Sequence, residues 1–363
     1  MFSGGALSAW LRLALIPGIG GVTQRKLLTA FGLPEVIFST SRASLAQVIS
    51  VRSVDLLIET DNSAHVESAL RWSESEGQQI VTLADPEYPQ LLLQIPDPPI
   101  LLYVRGRIDL LNKPALAIVG SRNPTPQGIQ NAERFAAALS QAGLSITSGL
   151  ALGIDAAAHR GALAVDGDTV AFIGTGIDRI YPAKNKQLTI DIAHTGAIVS
   201  EFPLGTPASA SNFPRRNRLI SGLSLGVLVV EAAIESGSLI TSRLACEQGR
   251  EVFAIPGSIH SPQSRGCHQL IKQGAKLVET VQDVLDELRW NIGIPPLEDS
   301  IFSKPPTYSV LLSAMGFDPL GIDQLAQRTG LPVHELFVAL LQLELEGRVA
   351  SLSGGRYQQL FPS

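Results

Sequence analysis

Cysteine is scarce in this chain of 363 residues, which contains only Cys246 and Cys267. Two cysteines cannot form the disulfide framework typical of small secreted proteins, and their scarcity fits a reducing compartment. A histidine follows Cys267 directly, but the other cysteine lies far upstream, which is not the spacing of a zinc site. We therefore expect neither a structural disulfide nor a bound metal.

Charged residues and long apolar runs are also limited. Lys and Arg number 28 and Asp and Glu number 33, so the formal charge is −5 and the protein is not basic overall. Charged residues make up 17% of the chain, against roughly 25% in an average domain. No apolar run reaches the roughly 18 residues that span a bilayer. A signal peptide begins with basic residues, whereas no basic residue precedes Arg12 here. We expect a cytoplasmic protein that does not enter a membrane.

The common nucleotide-binding motifs are missing. No loop of the form GxxxxGK followed by Ser or Thr is present, which argues against ATP hydrolysis of the P-loop type. The dinucleotide fingerprint needs three glycines between a strand and a helix and an acid about 20 residues later. Neither the turn at 120–122 nor the turn at 174–178 supplies them. We therefore expect no cofactor.

The distribution of charge along the chain indicates a separate N-terminal part. Residues 1–34 contain three basic residues and no acid, whereas residues 35–97 contain ten acids. The segment 16–20, with the sequence IPGIG, has the form of a helix-hairpin-helix element whose free amides suit a phosphate. We predict an all-α, SAM-like domain over residues 1–80, followed by a proline-punctuated connector that ends at 99.

The middle of the chain alternates short β-branched runs with stretches of helical period. This alternation predicts an α/β domain over residues 81–290, an extended Rossmann-like parallel sheet with helices on both faces. Because ligands bind outside the carboxyl ends of parallel strands, we expect function in the loops there. The predicted strands are 115–119, 144–147, 169–173, 197–200, 227–230, 251–255 and 276–278.

The end of the chain has the pattern of a winged-helix domain at 307–363, after a linker at 291–306. Three helices are predicted at 309–315, 322–329 and 333–346, followed by a β-hairpin around two glycines. Its third helix, which would read DNA, carries acids and no Lys or Arg. A helix with that charge suits protein contact better than phosphate.

Two strand ends in the middle domain carry glycines beside groups that bind anions. Arg122 follows Gly120 and Ser121 just past a strand, at the mouth of the next helix. A guanidinium beside free helix amides is an anion site. Gly149 and Gly153 follow the next strand and permit close approach to the backbone. Both turns are predicted to bind phosphate.

An acid-free window at 202–230 contains the sequence NFPRRNR, which places three guanidiniums and one aromatic ring in seven positions. Bases stack on such a ring and phosphates pair with the guanidiniums, as single-stranded nucleic acid requires. The alternative is that the ring is core and the arginines cap a helix or pair with acids. A further loop at 236–238 offers hydroxyls and amides, although serine is also an ordinary helix cap. These two segments add Asn212, Phe213, Arg215, Arg216, Asn217, Arg218, Ser236, Gly237 and Ser238 to the predicted binding residues.

Several long motifs resemble a known family. The segments "AIVGSRNPT", "TSGLALGIDAAAHRGAL", "GTGIDRIYPAKN", "SNFPRRNRLISG" and "SGSLITSRLACEQGREVFAIPGS" occur in the order found in the DNA-processing protein A (DprA/Smf) family. The resemblance is dense from about residue 85 to residue 287. It implies a dimeric, non-enzymatic protein that binds single-stranded DNA without sequence specificity, protects it, and helps load the RecA recombinase during natural transformation and homologous recombination.

The resemblance also places the family's phosphate pocket on residues already singled out, at 120–122, 149, 153 and 215–218, with Phe213 as a stacking ring. This sequence departs from the pattern at Ala210, where a basic residue ahead of the aromatic would strengthen the pocket. Positive charge is then expected from Lys184 or Lys186.

A competing interpretation is a nucleotide-processing enzyme of the phosphoribohydrolase type, with Glu231 as the catalytic carboxylate. A third interpretation is a protein-interaction scaffold.

Overall fold

A computed structural model describes residues 4–290 and 308–360 of the chain, and the predicted linker at 291–306 lies outside the described residues. The first part of the chain is helical, as predicted. Its apolar side chains, among them Trp10, Leu27, Ile37 and Leu57, pack into one core. The helices are α1 Gly4–Ala14, α2 Gly21–Phe31, α3 Pro34–Ser39, α4 Arg42–Leu45, α5 Val51–Glu59 and α6 Ser63–Ser73.

Among the described residues, nine strands form one sheet in the order β1-β2-β6-β5-β4-β3-β7-β8-β9. Strands β3 to β9 pair in parallel, whereas β1 and β2 are antiparallel to their neighbours. The strands are β1 Gln78–Thr82, β2 Leu101–Gly106, β3 Ala115–Val119, β4 Ser145–Ser148, β5 Thr169–Phe172, β6 Ala197–Ser200, β7 Gly226–Val229, β8 Glu251–Ala254 and β9 Lys276–Leu277. Every predicted strand is therefore present, with ends shifted by one residue at most.

Strands β1 and β2 were not predicted, and they make the sheet mixed rather than wholly parallel. The first four residues of β2 are all buried, so the strand shows no alternation of polar and apolar residues. It pairs with β6 on one side and β1 on the other. The boundary predicted between residues 80 and 81 falls inside β1, and the boundaries of the domains stay predictions.

Helices cover both faces of the sheet, as predicted. Helices α8, α9 and α14 pack on one face, and α7, α11, α12 and α13 on the other. Among the described residues, no helix is long and apolar enough to cross a membrane. These helices are α7 Gln90–Leu93, α8 Pro126–Gln141, α9 Ile154–Leu163, α10 Lys186–Thr195, α11 Asn212–Gly222, α12 Gly237–Glu247, α13 Arg265–Lys272 and α14 Val281–Glu287.

The C-terminal part has the predicted winged-helix arrangement of three helices and a small sheet. Its own core contains Leu312, Met315, Leu325, Leu340 and Leu343. The three strands are antiparallel, in the order β10-β12-β11. The elements are α15 Ser309–Met315, β10 Leu320–Gly321, α16 Ile322–Thr329, α17 Val333–Leu345, β11 Val349–Leu352 and β12 Arg356–Gln359.

Candidate nucleic-acid interface

A cavity of about 740 Å³ opens at the carboxyl edge of the parallel strands. The loop after β3, the start of α9, the first turns of α11 and the loop before α12 line it. In an open parallel sheet this edge is the usual place for a ligand, because strand ends and helix N-termini converge there. Nine of the predicted residues line the cavity: Gly120, Ser121, Arg122, Phe213, Arg216, Asn217, Ser236, Gly237 and Ser238.

The loop after β3 is held rigidly and presents one cation. The backbone N–H of Ser121 donates to the carbonyl of Glu231 at 2.7 Å, and the Ser121 hydroxyl accepts from the backbone N–H of Asn123 at 3.1 Å. Ser121 is buried, whereas Arg122 is exposed. The loop therefore fixes its own backbone and leaves the Arg122 guanidinium facing solvent at the cavity, where a phosphate can meet it.

Gly120 and Gly153, both predicted to bind phosphate, allow close packing around this loop. A Cβ on Gly120 would lie 2.7 Å from Cγ1 of Ile154, and one on Gly153 would lie 2.7 Å from Cδ of Pro124. Gly153 also has a φ of 81°, in the region that favours glycine. Both glycines allow the loop after β3 to lie directly against the start of α9.

Phe213 lies between a cation and a second ring. The Arg122 guanidinium carbon is 5.3 Å from the Phe213 ring centroid, and the Tyr181 ring centroid is 5.6 Å away at an interplanar angle of 32°. The Asn212 side-chain amide donates to the carbonyl of Gly174 at 3.1 Å, which anchors the start of α11. Tyr181 is 45% exposed and offers a ring face to a base.

Sequence reasoning missed Tyr181. It lines the cavity together with Phe213, although the two residues are far apart in the chain. Tyr181 stands in the quoted motif GTGIDRIYPAKN, in the loop that follows β5. Its position after a predicted strand end was the available clue, because β5 ends at the same edge of the sheet as β3.

Arg216, which was predicted to bind DNA, is buried at the floor of the cavity. It is 4% exposed, and its guanidinium donates to the carbonyls of Gly149 and Phe172 beneath the cavity. Burial lowers the pKa of Arg216 to about 10, while the carboxylate of Asp155 opposes that shift. Burial likewise raises the pKa of Asp155, and Arg216 acts in the opposite direction. Arg216 therefore joins the ends of two strands, with Gly149 as its acceptor, and forms the floor of the cavity.

Arg218, which was also predicted to bind DNA, pairs with acids, as the alternative interpretation of this motif expected. It is 8% exposed, its guanidinium pairs with Glu201, and its Nε lies 3.3 Å from Oδ2 of Asp97. Burial raises the pKa of Glu201, and the positive charges of Arg218 and Arg215 oppose the shift. Arg215 is half exposed, 3.1 Å from Glu201, and directs its guanidinium over the ring of Phe202. Only Arg215 of the three keeps an exposed guanidinium.

The loop before α12 contributes hydroxyls and a helix N-terminus. The Ser236 hydroxyl accepts from the backbone N–H of Ser238 at 3.3 Å, so it acts partly as the helix cap that the alternative interpretation expected. Gly237 is exposed, and no atom lies within 4 Å of the position of a Cβ. The Asn217 amide donates to the Gly237 carbonyl at 3.5 Å and ties the loop to α11.

Lys184 lies outside the cavity lining. It is exposed on a short 3-10 helix, Ala183–Asn185, just after Tyr181. Ala210 does line the cavity and brings no charge. Among the described residues that line the cavity, Arg122 is therefore the exposed cation, and the rings of Phe213 and Tyr181 lie beside it.

Glu231, the catalytic residue of the competing enzyme interpretation, is engaged elsewhere. Its carboxylate accepts from the backbone N–H of Thr125 at 2.9 Å and from the Thr125 hydroxyl at 2.5 Å. Burial raises the pKa of Glu231, and the hydrogen bonds from Thr125 oppose the shift. A Cβ on Gly128 would lie 2.6 Å from its Oε1. The carboxylate thus caps the N-terminus of α8 and does not line the cavity, which disfavours an enzyme of that type.

Residues 79–289 match the family model of DNA recombination-mediator protein A, which is more than half of the chain. The chain belongs to this family. Residues 295–355 match the DprA winged helix domain. Over 298 residues the chain is 44% identical to Protein Smf of Escherichia coli (strain K12), an alignment that covers 80% of each protein.

Two solved structures of the same family are similar to the fold described above. The X-ray structure of DNA processing protein A from Streptococcus pneumoniae has a TM-score of 0.70 and 39% identity, and the match covers 77% of this chain and 97% of that one. The structure that describes a single-stranded DNA binding mode of DNA processing protein A from Helicobacter pylori has a TM-score of 0.53 and 33% identity. That match covers 58% of this chain and 96% of the other.

All the predicted binding residues lie inside the segment that matches the recombination-mediator family. The structure brings most of them to one edge of the sheet, where Arg216 donates to the carbonyl of Gly149 and Arg218 pairs with Glu201. Within the described residues, no group of three or more His, Cys, Asp or Glu side chains is arranged to hold a metal ion. Cys246 and Cys267 are both free thiols.

Proposed function

We propose that this protein binds single-stranded DNA in the cavity at the carboxyl edge of its sheet, without reading the base sequence. One observation carries the proposal: the exposed guanidinium of Arg122 lies over the ring of Phe213, beside the exposed ring of Tyr181. A cation for a phosphate and flat rings for bases thus meet in one place. Single strands need both, because their bases are free to stack.

The chemistry of the lining explains the lack of sequence preference. Arg122 and the positive end of the α12 helix dipole suit phosphate oxygens, which carry no sequence information. The rings of Tyr181 and Phe213 suit the face that every base presents. A duplex keeps its bases stacked inside, so it offers phosphates but no base faces to this cavity. We therefore expect single-strand preference with little discrimination among sequences.

The finer parts of the proposal rest on family membership. We infer a non-enzymatic, cytoplasmic homodimer that protects single strands and helps to load RecA during DNA uptake and homologous recombination. The described binding of single-stranded DNA by the Helicobacter pylori relative supports the choice of ligand. We assign DNA binding to residues 81–290, with the helical unit at 1–80 and the winged helix at 307–363 as flanking domains.

The first test is fluorescence anisotropy with labelled oligothymidylate and a duplex of equal length, at several salt concentrations. We expect a strong salt dependence, in which log K falls with log salt with a slope of about −0.7 for each phosphate neutralised. Arg122→Ala should weaken single-strand binding about tenfold, or roughly 1.4 kcal/mol, and make that slope shallower by about 0.7.

The matched control is Arg160→Ala. Arg160 is also exposed, lies 2.9 Å from Glu133, and stands in the last turn of α9, at the end of the helix away from the cavity. Its removal changes the net charge equally and should leave binding within about twofold of the wild type. If the two substitutions weakened binding equally, the affinity for DNA would depend on the net charge of the protein, and the cavity would not be the binding site.

A further inference from the structure

Helix α17 of the winged-helix domain has two apolar faces, of which only one is buried. Leu336, Ala339, Leu340 and Leu343 pack into the domain core. On the other side five large apolar side chains remain exposed, with exposed fractions between 42% and 77%. These residues, called the α17 stripe below, are Val333, Phe337, Val338, Leu341 and Leu345.

The stripe is continuous along the whole helix. Four of its members follow one another at intervals of four residues, from Val333 to Leu345. At about 100° per residue, each step of four turns the side chain by only about 40°, so successive members are neighbours on the helix surface. A helix of 13 residues is about 20 Å long. The stripe is therefore long enough to contact a partner helix over about 20 Å.

The chemistry of α17 does not suit DNA, although the third helix of a winged-helix domain is the one that enters a major groove. The helix contains no Lys or Arg, and Glu335, Glu344 and Glu346 lie on or just after it. Carboxylates repel phosphates, and large aliphatic side chains cannot donate to base edges. Exposed apolar patches with a polar border mark protein contacts instead.

Charge distinguishes between two protein occupants. In an antiparallel pair of α17 helices from two copies of this chain, Glu335 of each helix would approach Glu346 of the other, and α17 has no Lys or Arg to compensate. A partner helix with basic residues beside its apolar face would instead pair with these carboxylates. We propose that the α17 stripe docks an amphipathic, basic helix of another protein.

The test uses the full chain and two synthetic 18-residue peptides as probes. Both have leucines at helical spacing, and the remaining positions are lysine in one peptide and glutamate in the other. Fluorescence anisotropy should show that the leucine-lysine peptide binds at least tenfold more tightly than the leucine-glutamate peptide. The double variant Phe337→Ser/Leu341→Ser should lose at least tenfold in affinity for the leucine-lysine peptide. Ile259→Ser removes another exposed apolar residue, which is 74% exposed in the sheet domain, and should change nothing.

Reversal of the charges at the border of the stripe provides a second, independent arm. Glu335→Lys/Glu346→Lys should invert the preference, so that the leucine-glutamate peptide binds more tightly. Leu345→Ser, at the most exposed position of the stripe, serves as a milder variant if the double serine variant fails to fold by circular dichroism.

Three outcomes would overturn the proposal. Undiminished peptide binding by the serine variants would show that the peptide responds to the overall charge of −5. A sedimentation coefficient that falls when the stripe is replaced would make a second copy the occupant. If the serine variants alone lost the ability to bind duplex DNA, α17 would be a DNA-binding helix rather than a protein-docking site.

Discussion

His159 shows how completely a polar residue can be enclosed in the sheet domain. It lies on α9 with no exposed surface, and its Nδ1 is 2.7 Å from the Thr169 hydroxyl oxygen. That hydroxyl donates its single hydrogen to the carbonyl of Ile146 at 2.8 Å, so Nδ1 must carry the hydrogen of the imidazole. Burial, with the positive charges of Arg216 and Arg160, lowers the pKa of His159 to about 3.

This pKa makes stability depend on pH with a definite sign. Below the ordinary value near 6.5, the unfolded chain binds a proton at His159 while the folded chain does not. Stability therefore falls by about 1.4 kcal/mol per pH unit as the pH drops from about 6.5 towards 3. Between pH 7.5 and pH 5.5, the free energy of unfolding of the wild type should fall by about 1.4 kcal/mol more than that of His159→Gln. Urea unfolding at the two pH values measures this difference, and equal losses in both proteins would contradict the assigned pKa.

At the scale of elements, a chain of alternating charges joins the helical N-terminal part to the sheet domain. Arg25 on α2 pairs with Asp97 in the connector, and Asp97 also contacts Arg218 on α11. Arg218 then shares Glu201, at the end of β6, with Arg215. The carboxylate of Glu201 is almost fully buried, and its ion pairs with Arg215 and Arg218 tie the start of α11 to the end of β6.

Loss of this central carboxylate should destabilise the fold. In Glu201→Ala the buried Arg218 guanidinium loses its buried partner and keeps the half-exposed Asp97, so we expect the free energy of unfolding to fall by about 3 kcal/mol. The matched control is Glu247→Ala on α12, whose partner Arg243 lies 3.7 Å away with both side chains exposed. That substitution should cost less than about 0.5 kcal/mol. Similar small losses from both in chemical denaturation would show that the buried network does not stabilise α11.

The parallel strands were predictable from the sequence because each is a short apolar run between helices. Strand β2 was not predicted, although it too is a buried apolar run, because it follows a proline-rich connector and lies outside the regular alternation of strands and helices. Arg122 was placed correctly at a strand end, because loop position depends on local sequence. The roles of Arg216 and Arg218 were not predictable, because their partners Phe172 and Glu201 are distant in the chain. Which guanidinium is buried depends on which side of α11 faces the sheet, and Arg216 and Arg218 lie on the buried side.

At the scale of the whole molecule, the two functions proposed here lie on different parts of the fold. The sheet domain gathers one exposed arginine and two aromatic rings at the carboxyl edge of its strands. The winged helix presents an apolar, acid-bordered helix. With a net charge of −5, the molecule does not attract DNA over long distances. Binding must therefore depend on the local arrangement at the cavity, and on stacking as much as on charge.

Photo-crosslinking tests the location of the DNA most directly. A single-stranded oligothymidylate that carries 5-iododeoxyuridine is irradiated with the full chain, and the crosslinked peptides are identified by mass spectrometry. We expect crosslinks at Tyr181 and Phe213, and their loss when an unlabelled single strand, but not a duplex, competes. Crosslinks confined to α17 or to the N-terminal helices would contradict the account, because the strand would then bind away from the carboxyl edge of the sheet.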